Sequence, residues 1–347
     1  MIHRIACILV TALLLSACKD DPSAPTAFSI PAGRGIYVLN EGLFQQGNST
    51  LSYYDIANGQ VYQDVFARIN GRNLGDVGNA IVVRSTLGYV VVNNSHKIEI
   101  IDLATCVSQG TITFAAGTGP RQMAFVNDSI ALVTGYNNGE VLVLNVRSRN
   151  VQQTIAVGSG PEGITIAGGK AFVAISGFGS GRGVAVIDIA SLAVLQTVEV
   201  GDNPYEVQWI SDDVVYILCV GFYNDFNDPN DDTPAKVYAM NTSTLGILDS
   251  VLIGDHAFKL AVGTGRCYVP VLDSVKAIDT QTHAYAETVV SGTFFYGIGA
   301  DPVSGDILLG DPRTYTVPGA VRIYSSTGTL RSQFDVGLIP GSFAFKP

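Results

Sequence analysis

The sequence predicts an all-β fold, a seven-bladed β-propeller with four-stranded blades. The first observation is composition: only 14% of the residues are charged, against about 25% in ordinary globular chains, and 38 of 347 are glycine. The second is a unit of four short apolar segments that recurs about every 40–50 residues. The third is length, because the 315 residues from 33 to 347 divide into seven units of 45, a normal blade size.

Charge and helix-forming residues argue against other architectures. Lys and Glu number seven each, too few for the surfaces of long helices, so a helix bundle, a coiled coil and an α-solenoid are disfavoured. The formal net charge is −10 and no cluster of Lys and Arg is present. This acidic balance argues against a nucleic-acid partner.

Residues 1–17 have the features of an export signal. Their apolar run, residues 5–15, is too short to cross a bilayer as a helix. The motif LSAC that ends at Cys18 resembles the lipobox of bacterial lipoproteins, which implies a diacylated Cys18; the alternative is an ordinary secretory signal with a chance Cys. Residues 18–32 would then be the lipidated Cys and a flexible tether. The KDD motif at 19–21 resembles the signal for the outer face of the outer membrane, so we expect a lipid-anchored protein that faces the cell exterior.

Each unit of the body, residues 33–347, begins with a turn that leads into the strand nearest the propeller axis. The turn and the inner strand that follows it are predicted together at residues 75–83, 119–126, 160–167, 202–210, 256–263, 294–301 and 339–345. Second strands are predicted at residues 88–93, 130–135, 170–176, 214–220, 266–271 and 306–311. Third strands end on Asp102, Asn145, Asp188, Asn241 and Asp279, and fourth strands end on a Val-Gly or Ile-Gly step at residues 154–158, 197–201, 250–254 and 334–337.

The two ends of the body complement each other. The first unit has strands at residues 36–40, 51–56 and 61–66 but no inner strand before them, and the last unit is followed by an unmatched strand at 341–345. We therefore predict that the C-terminal strand completes the N-terminal blade, which removes the open edge of the ring. A β-sandwich, the alternative for a strand-rich chain, does not explain the repeat.

The repeats resemble those of YncE-like, YVTN-type seven-bladed propellers. The segments GIYVLNEGLFQQGNSTLSYYD (35–55) and LGDVGNAI (74–81) resemble a family of surface propeller lipoproteins. That family includes the cobalamin-binding, BtuG-type partners of TonB-dependent outer-membrane transporters. The resemblance implies a protein that captures cobalamin or a related corrinoid for such a transporter, with no cofactor and no catalytic residue. It is more specific for the fold than for the ligand.

In this strand order, the turns before the inner strands and the loops between second and third strands share one face, where propellers usually carry their function. The turns carry Asn79, Arg121, Gln122, Glu162, Tyr205, Glu206, Phe258, Lys259 and Tyr296. We expect the ligand to contact Glu41, Asn94, Arg121, Tyr136, Glu162, Phe178, Tyr205, Phe222, Tyr223, Tyr296, Asp311 and Tyr315. Aromatic faces with polar groups suit a large, flat, neutral ligand, a corrinoid or a glycan. For each residue, the alternative is a side chain that only satisfies a turn.

The sequence offers two candidate metal sites. Asp225, Asn227 and Asp231 place oxygens at near-alternate positions, as calcium loops do, but the glycine and distal Glu of an EF-hand are missing, so a solvated acidic loop is the default. Glu162 and Glu206 could hold a metal with Asn79, as in lactonase propellers; pairing of the carboxylates with Arg121 or Lys259 is favoured. HExxH and GxSxG motifs are absent.

The sequence thus favours a binding protein, with three alternatives left open. They are a glycan-binding propeller, a protein-interaction scaffold and a metal-dependent, lactonase-like enzyme. Cys106, Cys219 and Cys267 follow no disulfide pattern, and buried free thiols on strands are the favoured interpretation.

Overall fold

A computed structural model describes residues 28–222, 232–255 and 257–346. Over these residues the chain forms seven antiparallel sheets of four strands, arranged as the blades of a propeller. The inner strands of consecutive blades contact one another around the ring, and the inner strand of the last blade contacts that of the first. The predicted fold class is confirmed.

The first blades follow the chain order. Blade 1 contains β1 (Gly35–Asn40), β2 (Thr50–Asp55) and β3 (Gln60–Tyr62), and the helix α1 (Val65–Asn70) follows it. Blade 2 contains β4 (Gly78–Arg84), β5 (Leu87–Val92), β6 (Lys97–Asp102) and β7 (Ser108–Thr113). Blade 3 contains β8 (Pro120–Phe125), β9 (Ile130–Gly135), β10 (Glu140–Asn145) and β11 (Asn150–Ala156). Blade 4 contains β12 (Pro161–Ala167), β13 (Lys170–Ile175), β14 (Gly183–Asp188) and β15 (Ala193–Glu199), with a short 3-10 turn at Gly177–Gly179.

The remaining blades repeat this plan. Blade 5 contains β16 (Pro204–Ser211), β17 (Val214–Cys219), β18 (Ala235–Asn241) and β19 (Ile247–Gly254). Blade 6 contains β20 (Ala261–Gly263), β21 (Arg266–Val271), β22 (Ser274–Asp279) and β23 (Tyr285–Ser291). Blade 7 contains β24 (Gly297–Ala300), β25 (Ile307–Asp311), β26 (Ala320–Tyr324) and β27 (Leu330–Asp335). The last strand is β28 (Pro340–Lys346).

The ring closes through β28, as the sequence predicts. β28 lies beside β1 in the first sheet, which has the order β28-β1-β2-β3. The two strands are antiparallel, with Val38 opposite Phe343 and Ile36 opposite Phe345. Ala344 points into the core and is 2% exposed, whereas Phe343 and Phe345 are only half-buried and Phe343 lines the axis.

The turn after the third strand explains why that strand ends on Asp or Asn. Asp102 Oδ1 accepts a hydrogen bond from the Thr105 backbone N–H at 2.9 Å, and Asn145 Oδ1 accepts one from the Ser148 backbone N–H at 2.9 Å. Such Asx turns hold the chain in the hairpin between third and fourth strands. The same bond recurs at Asp188, Asn241 and Asp279.

The hydrophobic cores lie between neighbouring blades. Leu132 of blade 3 packs in one cluster with Val173 of blade 4, and Phe172 of blade 4 packs in the next cluster with Ile217 of blade 5. Consecutive residues of one strand therefore enter different cores. Since both faces of the central strands are buried, these strands read in the sequence as continuous apolar runs.

The strand predicted at residues 61–66 is wrong in its second half. β3 ends at Tyr62, Asp64 has a left-handed backbone with φ of 46°, and the chain then turns into α1. Val65 and Phe66 are fully buried against the core between blades 1 and 2. Their apolar character, which suggested a strand, belongs to a short helix that covers the end of the sheet.

Cys106, Cys219 and Cys267 are buried and unpaired, as the sequence favours. Burial raises the pKa of each thiol, so the thiols remain protonated and unreactive. Cys219 and Cys267 lie on strands, whereas Cys106 lies in the turn after β6.

The chain contacts blade 1 before β1 begins. The Phe28 ring centroid lies 5.3 Å from that of Tyr62, and the Arg68 guanidinium lies 3.7 Å from the centre of the Phe28 ring. Lys346 Nζ donates a hydrogen bond to the Pro31 carbonyl at 2.5 Å. Residues 28–32, which the sequence assigns to the tether, therefore pack on the blade. Among the described residues, no helix is long and apolar enough to span a membrane.

Candidate functional site

The starts of the inner strands and the loops between second and third strands lie on one face of the propeller. In blade 4, Pro161 at the start of β12 pairs with Ile175 at the end of β13, and Ile175 pairs with Gly183 at the start of β14. The seven copies of this edge surround the axis and form a funnel. This is the face on which the sequence analysis places the candidate residues.

β-Bulges direct the funnel side chains. The pairing register shifts directly after the first residue of β8, β12 and β16, so Arg121, Glu162 and Tyr205 stand outside the regular alternation of their strands. Bulges of this kind re-aim a side chain at the end of a sheet. The three residues follow a proline in successive blades, which is why the sequence repeat places them at equivalent positions.

Arg121 and Glu162 form a buried ion pair across blades 3 and 4. Arg121 Nη2 donates to Glu162 Oε1 at 3.2 Å, and Nε lies 2.9 Å from Oε2. The Nε contact has a poor hydrogen-bond angle, so the Nε hydrogen has no acceptor among the described residues. Burial raises the pKa of Glu162 to about 7, although Arg121 favours the carboxylate. The pairing that the sequence analysis favours over a metal is present.

Aromatic rings continue outward from this ion pair. The Arg121 guanidinium lies 4.4 Å from the centre of the Tyr136 ring, within cation–π range. Tyr136 in turn meets Phe178 edge to face, with ring centroids 5.0 Å apart. Phe178 is 57% exposed, so this stack leads from the funnel floor to solvent.

A second set of contacts joins blade 7 to blade 1. The Tyr296 hydroxyl donates to Glu41 Oε2 at 2.7 Å. Burial, followed by the charge of Glu41, raises the pKa of Tyr296 well above its usual value, so the hydroxyl keeps its proton. The Tyr315 ring centroid lies 6.1 Å from that of Tyr296 and 6.4 Å from that of Phe294.

Lys259 and Glu206, together with Arg121, Glu162 and Tyr205, form the floor of the funnel. Lys259 Nζ donates to the Gly341 carbonyl of β28 at 2.7 Å and lies 4.9 Å from the centre of the Tyr296 ring. Gln208 Nε2 donates to Glu206 Oε1 at 3.0 Å. Burial lowers the pKa of Lys259 and raises that of Glu206. The charge of each residue acts in the opposite direction on the pKa of the other, because each favours the charged form of its neighbour. They interact electrostatically, without the direct ion pair that Arg121 and Glu162 make.

Tyr205 connects the parts of the floor. Burial raises the pKa of the Tyr205 hydroxyl, and the negative charge of Glu162 raises it further, while Arg121 opposes the rise. Glu41 and Glu206 also raise it, so Tyr205 lies close to the charged groups on both sides of the floor. Its ring also meets Phe258 edge to face, at 6.2 Å between centroids. The inner strands approach closely here.

Below the floor, a cavity of about 710 Å³ follows the axis between the inner strands. Asn79, Gln122, Gln208 and Lys259 line it, among other residues, and Phe343 contributes an apolar wall. Asn79 Oδ1 is buried and has no hydrogen-bond partner among the described residues. Lys259 and Glu206 border this cavity, but Arg121, Glu162 and the aromatic residues of the funnel do not line it, so its volume belongs to the axis below the funnel.

The structure brings most candidate residues together. The funnel holds Glu41, Arg121, Tyr136, Glu162, Phe178, Tyr205, Tyr296 and Tyr315. Three others have local partners instead: Asn94 Nδ2 donates to Asp76 at 2.7 Å, Asp311 pairs with Arg322 at 3.0 Å, and Phe222 bridges to Thr233 through its backbone. Cys18, Tyr223 and the calcium candidates Asp225, Asn227 and Asp231 lie outside the described residues.

Some floor residues were absent from the predicted ligand contacts. The sequence indicates Glu206 as a possible metal ligand and Lys259 as a possible ion-pair partner, not as ligand contacts, and it does not single out Phe294 or Gln208. Three adjacent aromatic residues, Phe294, Phe295 and Tyr296, precede β24, and this run was the available signal for Phe294; Phe295 is the one of the three that is fully buried. In the described part of the chain, no group of three or more His, Cys, Asp or Glu side chains is placed to hold a metal ion.

A family profile described as a domain of unknown function, DUF5074, matches residues 34–217. This range covers more than half of the chain. The chain belongs to the DUF5074 family. No curated protein matches the DUF5074 chain.

Solved structures agree on the fold. Hydrazine synthase of Kuenenia stuttgartiensis superposes with a TM-score of 0.64 at 16% identity and covers 76% of this chain and 88% of its own. A quinoprotein alcohol dehydrogenase-like protein of Bacteroides thetaiotaomicron has a TM-score of 0.68 at 15% identity, with coverage of 90% and 78%. A functionally unknown protein of Desulfotomaculum acetoxidans has a TM-score of 0.70 at 12% identity, with coverage of 90% and 99%. At these identities the DUF5074 protein shares a fold with them, and the fold does not specify a function.

Proposed function

We propose that this protein binds a small molecule in the funnel and does not transform it. The observation that carries the proposal is the floor itself, where Arg121, Glu162, Glu206, Lys259 and Tyr205 gather at the base of an aromatic-walled opening. Burying several charged side chains together costs free energy of folding, because they are partly removed from water. Stability of the fold therefore does not explain why they gather here. A concave site with convergent polar groups and shifted pKa values is the usual sign of a binding site.

The ligand that we propose is cobalamin or a related corrinoid, passed on to a TonB-dependent outer-membrane transporter. A corrinoid is a broad ring with amide groups around its edge. The funnel offers aromatic faces for the ring at Tyr136, Phe178 and Tyr315, and donors and acceptors for the amides at Lys259 and Glu41. The sequence resemblance to cobalamin-binding propeller lipoproteins supports the same choice.

The carboxylates of Glu162 and Glu206 already have partners in the protein, which favours ligand binding over metal-dependent hydrolysis. Glu162, which a lactonase-like site would use as a metal ligand, is held by Arg121. Glu206 accepts a hydrogen bond from Gln208 at 3.0 Å. A divalent ion would have to displace these partners.

A ligand titration tests the proposal. The mature domain, residues 33–347, is titrated with cyanocobalamin by calorimetry, and with maltohexaose as a representative glycan. We expect cyanocobalamin to bind with weak salt dependence, because stacking and hydrogen bonds, and not net charge, would hold it. Tyr205→Ala should weaken binding about tenfold or more. Tyr285→Ala, on an outer strand and 49% exposed, is the matched control and should bind as the wild type does.

The result also separates the alternatives. Absence of cyanocobalamin binding at high micromolar concentration would remove the corrinoid proposal, and binding of maltohexaose instead would make the protein a glycan binder. Chelator-sensitive hydrolysis of a lactone, lost in Glu162→Gln, would make it an enzyme. Binding of neither ligand, with capture of a transporter, would indicate a scaffold.

We also propose that a lipid on Cys18 holds the protein on the outer surface of the outer membrane. The LSAC and KDD motifs carry this part of the proposal. Cys18→Ala should release the protein from membranes, because the diacylated Cys would be the whole anchor. Protease added to intact cells should degrade the wild-type protein; full protection would contradict the surface location.

A further inference from the structure

Two columns of side chains rise from the funnel floor to solvent. In the first column, Phe178 meets Tyr136 edge to face, the Arg121 guanidinium lies over the Tyr136 ring, and Arg121 pairs with Glu162. In the second, the Tyr315 ring centroid lies 6.1 Å from that of Tyr296, and the Tyr296 hydroxyl donates a hydrogen bond to Glu41 at 2.7 Å. Each column therefore has an exposed aromatic ring at the top, a half-buried tyrosine in the middle and an ionisable side chain at the base.

The two columns stand on well-separated blades. Phe178 belongs to the loop between β13 and β14 of blade 4, and Tyr315 to the loop between β25 and β26 of blade 7. Contacts between consecutive inner strands show that the blades follow one another around the ring, so blades 5 and 6 lie between these two on one side and blades 1, 2 and 3 on the other. The columns face each other across the funnel, and Tyr205 lies near the charges at both bases.

Both exposed rings have a backbone conformation that bulky residues avoid. Phe178 has φ of 57° and Tyr315 has φ of 66°, in the left-handed region that favours Gly and Asn. Both are also exposed to water, at 57% and 40% of their surface. A large aromatic side chain is unfavourable there on both counts. Strained, exposed residues of this kind are found at ligand clamps.

Some of the other left-handed residues have a simpler explanation. Cys106 and Arg149 occupy the same position of the turn between third and fourth strands in successive blades, so the repeat itself requires their conformation. Phe178 and Tyr315 do not share such a turn, because the loops between second and third strands that carry them differ in length, seven residues after β13 and eight after β25.

We propose that Phe178 and Tyr315 are the two jaws of an aromatic clamp that holds a planar ring of the ligand across the funnel. The inference rests on the proposed binding function and adds the ligand's shape and orientation. A flat ring lies against the two aromatic faces, while polar groups on its edge reach Arg121 on one side and Glu41 on the other. The ligand class is a broad planar ring that carries both hydrogen-bond donors and acceptors at its rim.

The test combines binding with stability. Phe178→Asn and Tyr315→Asn remove the ring but keep a residue that tolerates left-handed backbone. Phe44→Asn is the matched control: Phe44 is an aromatic of the same funnel face, in the loop between β1 and β2, it is 65% exposed, and it is not among the left-handed residues. Each full-length mature variant is titrated with cyanocobalamin as the planar probe and maltohexaose as the non-planar probe, and its Tm is measured by calorimetry.

We expect each jaw variant to bind cyanocobalamin about tenfold more weakly than the wild type, with a Tm that is unchanged or higher because strain is relieved. Phe44→Asn should bind as the wild type does. Wild-type affinity in both jaw variants would overturn the clamp while leaving the proposed function intact. Tighter binding of maltohexaose than of cyanocobalamin by the wild type would overturn the planar-ring assignment, and a wild type that binds neither probe would overturn the proposed function and the clamp together.

Discussion

Removal of β28 is the most direct test of how the ring closes. A chain that ends at Ile339 lacks the strand that completes blade 1, so β1 loses its partner on the axial side. The pairing of β1 with β28 extends over six residues of each strand before it ends. The deletion also exposes the core around Ala344 and leaves the edge of β1 unpaired.

The magnitude follows from these contacts. About six backbone hydrogen bonds, each contributing a net ~0.5–1.5 kcal/mol, represent ~3–9 kcal/mol. A whole domain is stable by only about 5–15 kcal/mol. The truncation should therefore remove most of the stability of the propeller. By contrast, Phe343→Ala alone should cost less than the ~3–5 kcal/mol of a fully buried Phe, because Phe343 is half-buried beside the axial cavity.

Differential scanning calorimetry and size-exclusion chromatography measure the effect. We expect the chain that ends at Ile339 to aggregate or to lose its cooperative transition, whereas a chain that lacks only Pro347 should melt as the full-length protein does. A soluble, monomeric truncation with the full-length Tm would refute the reasoning, since closure of the ring would then not depend on β28.

Two further predictions concern buried carboxylates. Arg72→Ala should lower the free energy of unfolding in urea by about 1–3 kcal/mol, because the fully buried Glu99 loses two charged hydrogen bonds, at 3.0 and 2.6 Å. Arg84→Ala is the control: its partner Asp128 is exposed, so this change should cost under about 1 kcal/mol. The pKa of Glu162 is raised from 4.5 to about 7, so the folded protein holds the carboxyl proton up to a higher pH than the unfolded chain does. The stability that comes from this proton is full below pH 4.5 and is lost as the pH rises through 7. The wild type should therefore lose stability relative to Glu162→Gln over that range. A difference between these two proteins that stays constant from pH 4.5 to 8 would contradict the second prediction.

The repeat made the fold predictable. Asp102 and Asn145 end equivalent third strands because each side chain caps the same turn, and that recurrence is visible without knowledge of the structure. The predicted strand at residues 61–66 was wrong from residue 63 onward, where the first blade departs from the repeat. There the left-handed Asp64 turns the chain, and a local apolar pattern does not distinguish a short strand from a short helix.

The sequence predicts which face of the propeller carries the site, but not which side chains meet there. Arg121 and Glu162 occupy equivalent places in blades 3 and 4, so the sequence places both at the funnel. Asn94 satisfies the same criterion but its side chain binds Asp76, because an amide finds the nearest local partner. Phe294 was missed because its contact with Tyr315 joins two loops whose approach depends on their length and curvature.

The funnel and the closure of the ring share residues, which links binding to stability. Lys259 of blade 6 binds the Gly341 carbonyl at the start of β28, and Tyr296 of blade 7 binds Glu41 of blade 1. The Tyr296–Glu41 contact crosses the seam between β28 and β1 at which the chain ends meet, and the Lys259 contact holds β28 in place beside that seam. A ligand that engages this floor binds only the closed ring, so it must stabilise closure by the free energy of its own binding. The aromatic and charged groups of the funnel therefore lie where a ligand strengthens the one joint of the propeller that no continuous chain spans.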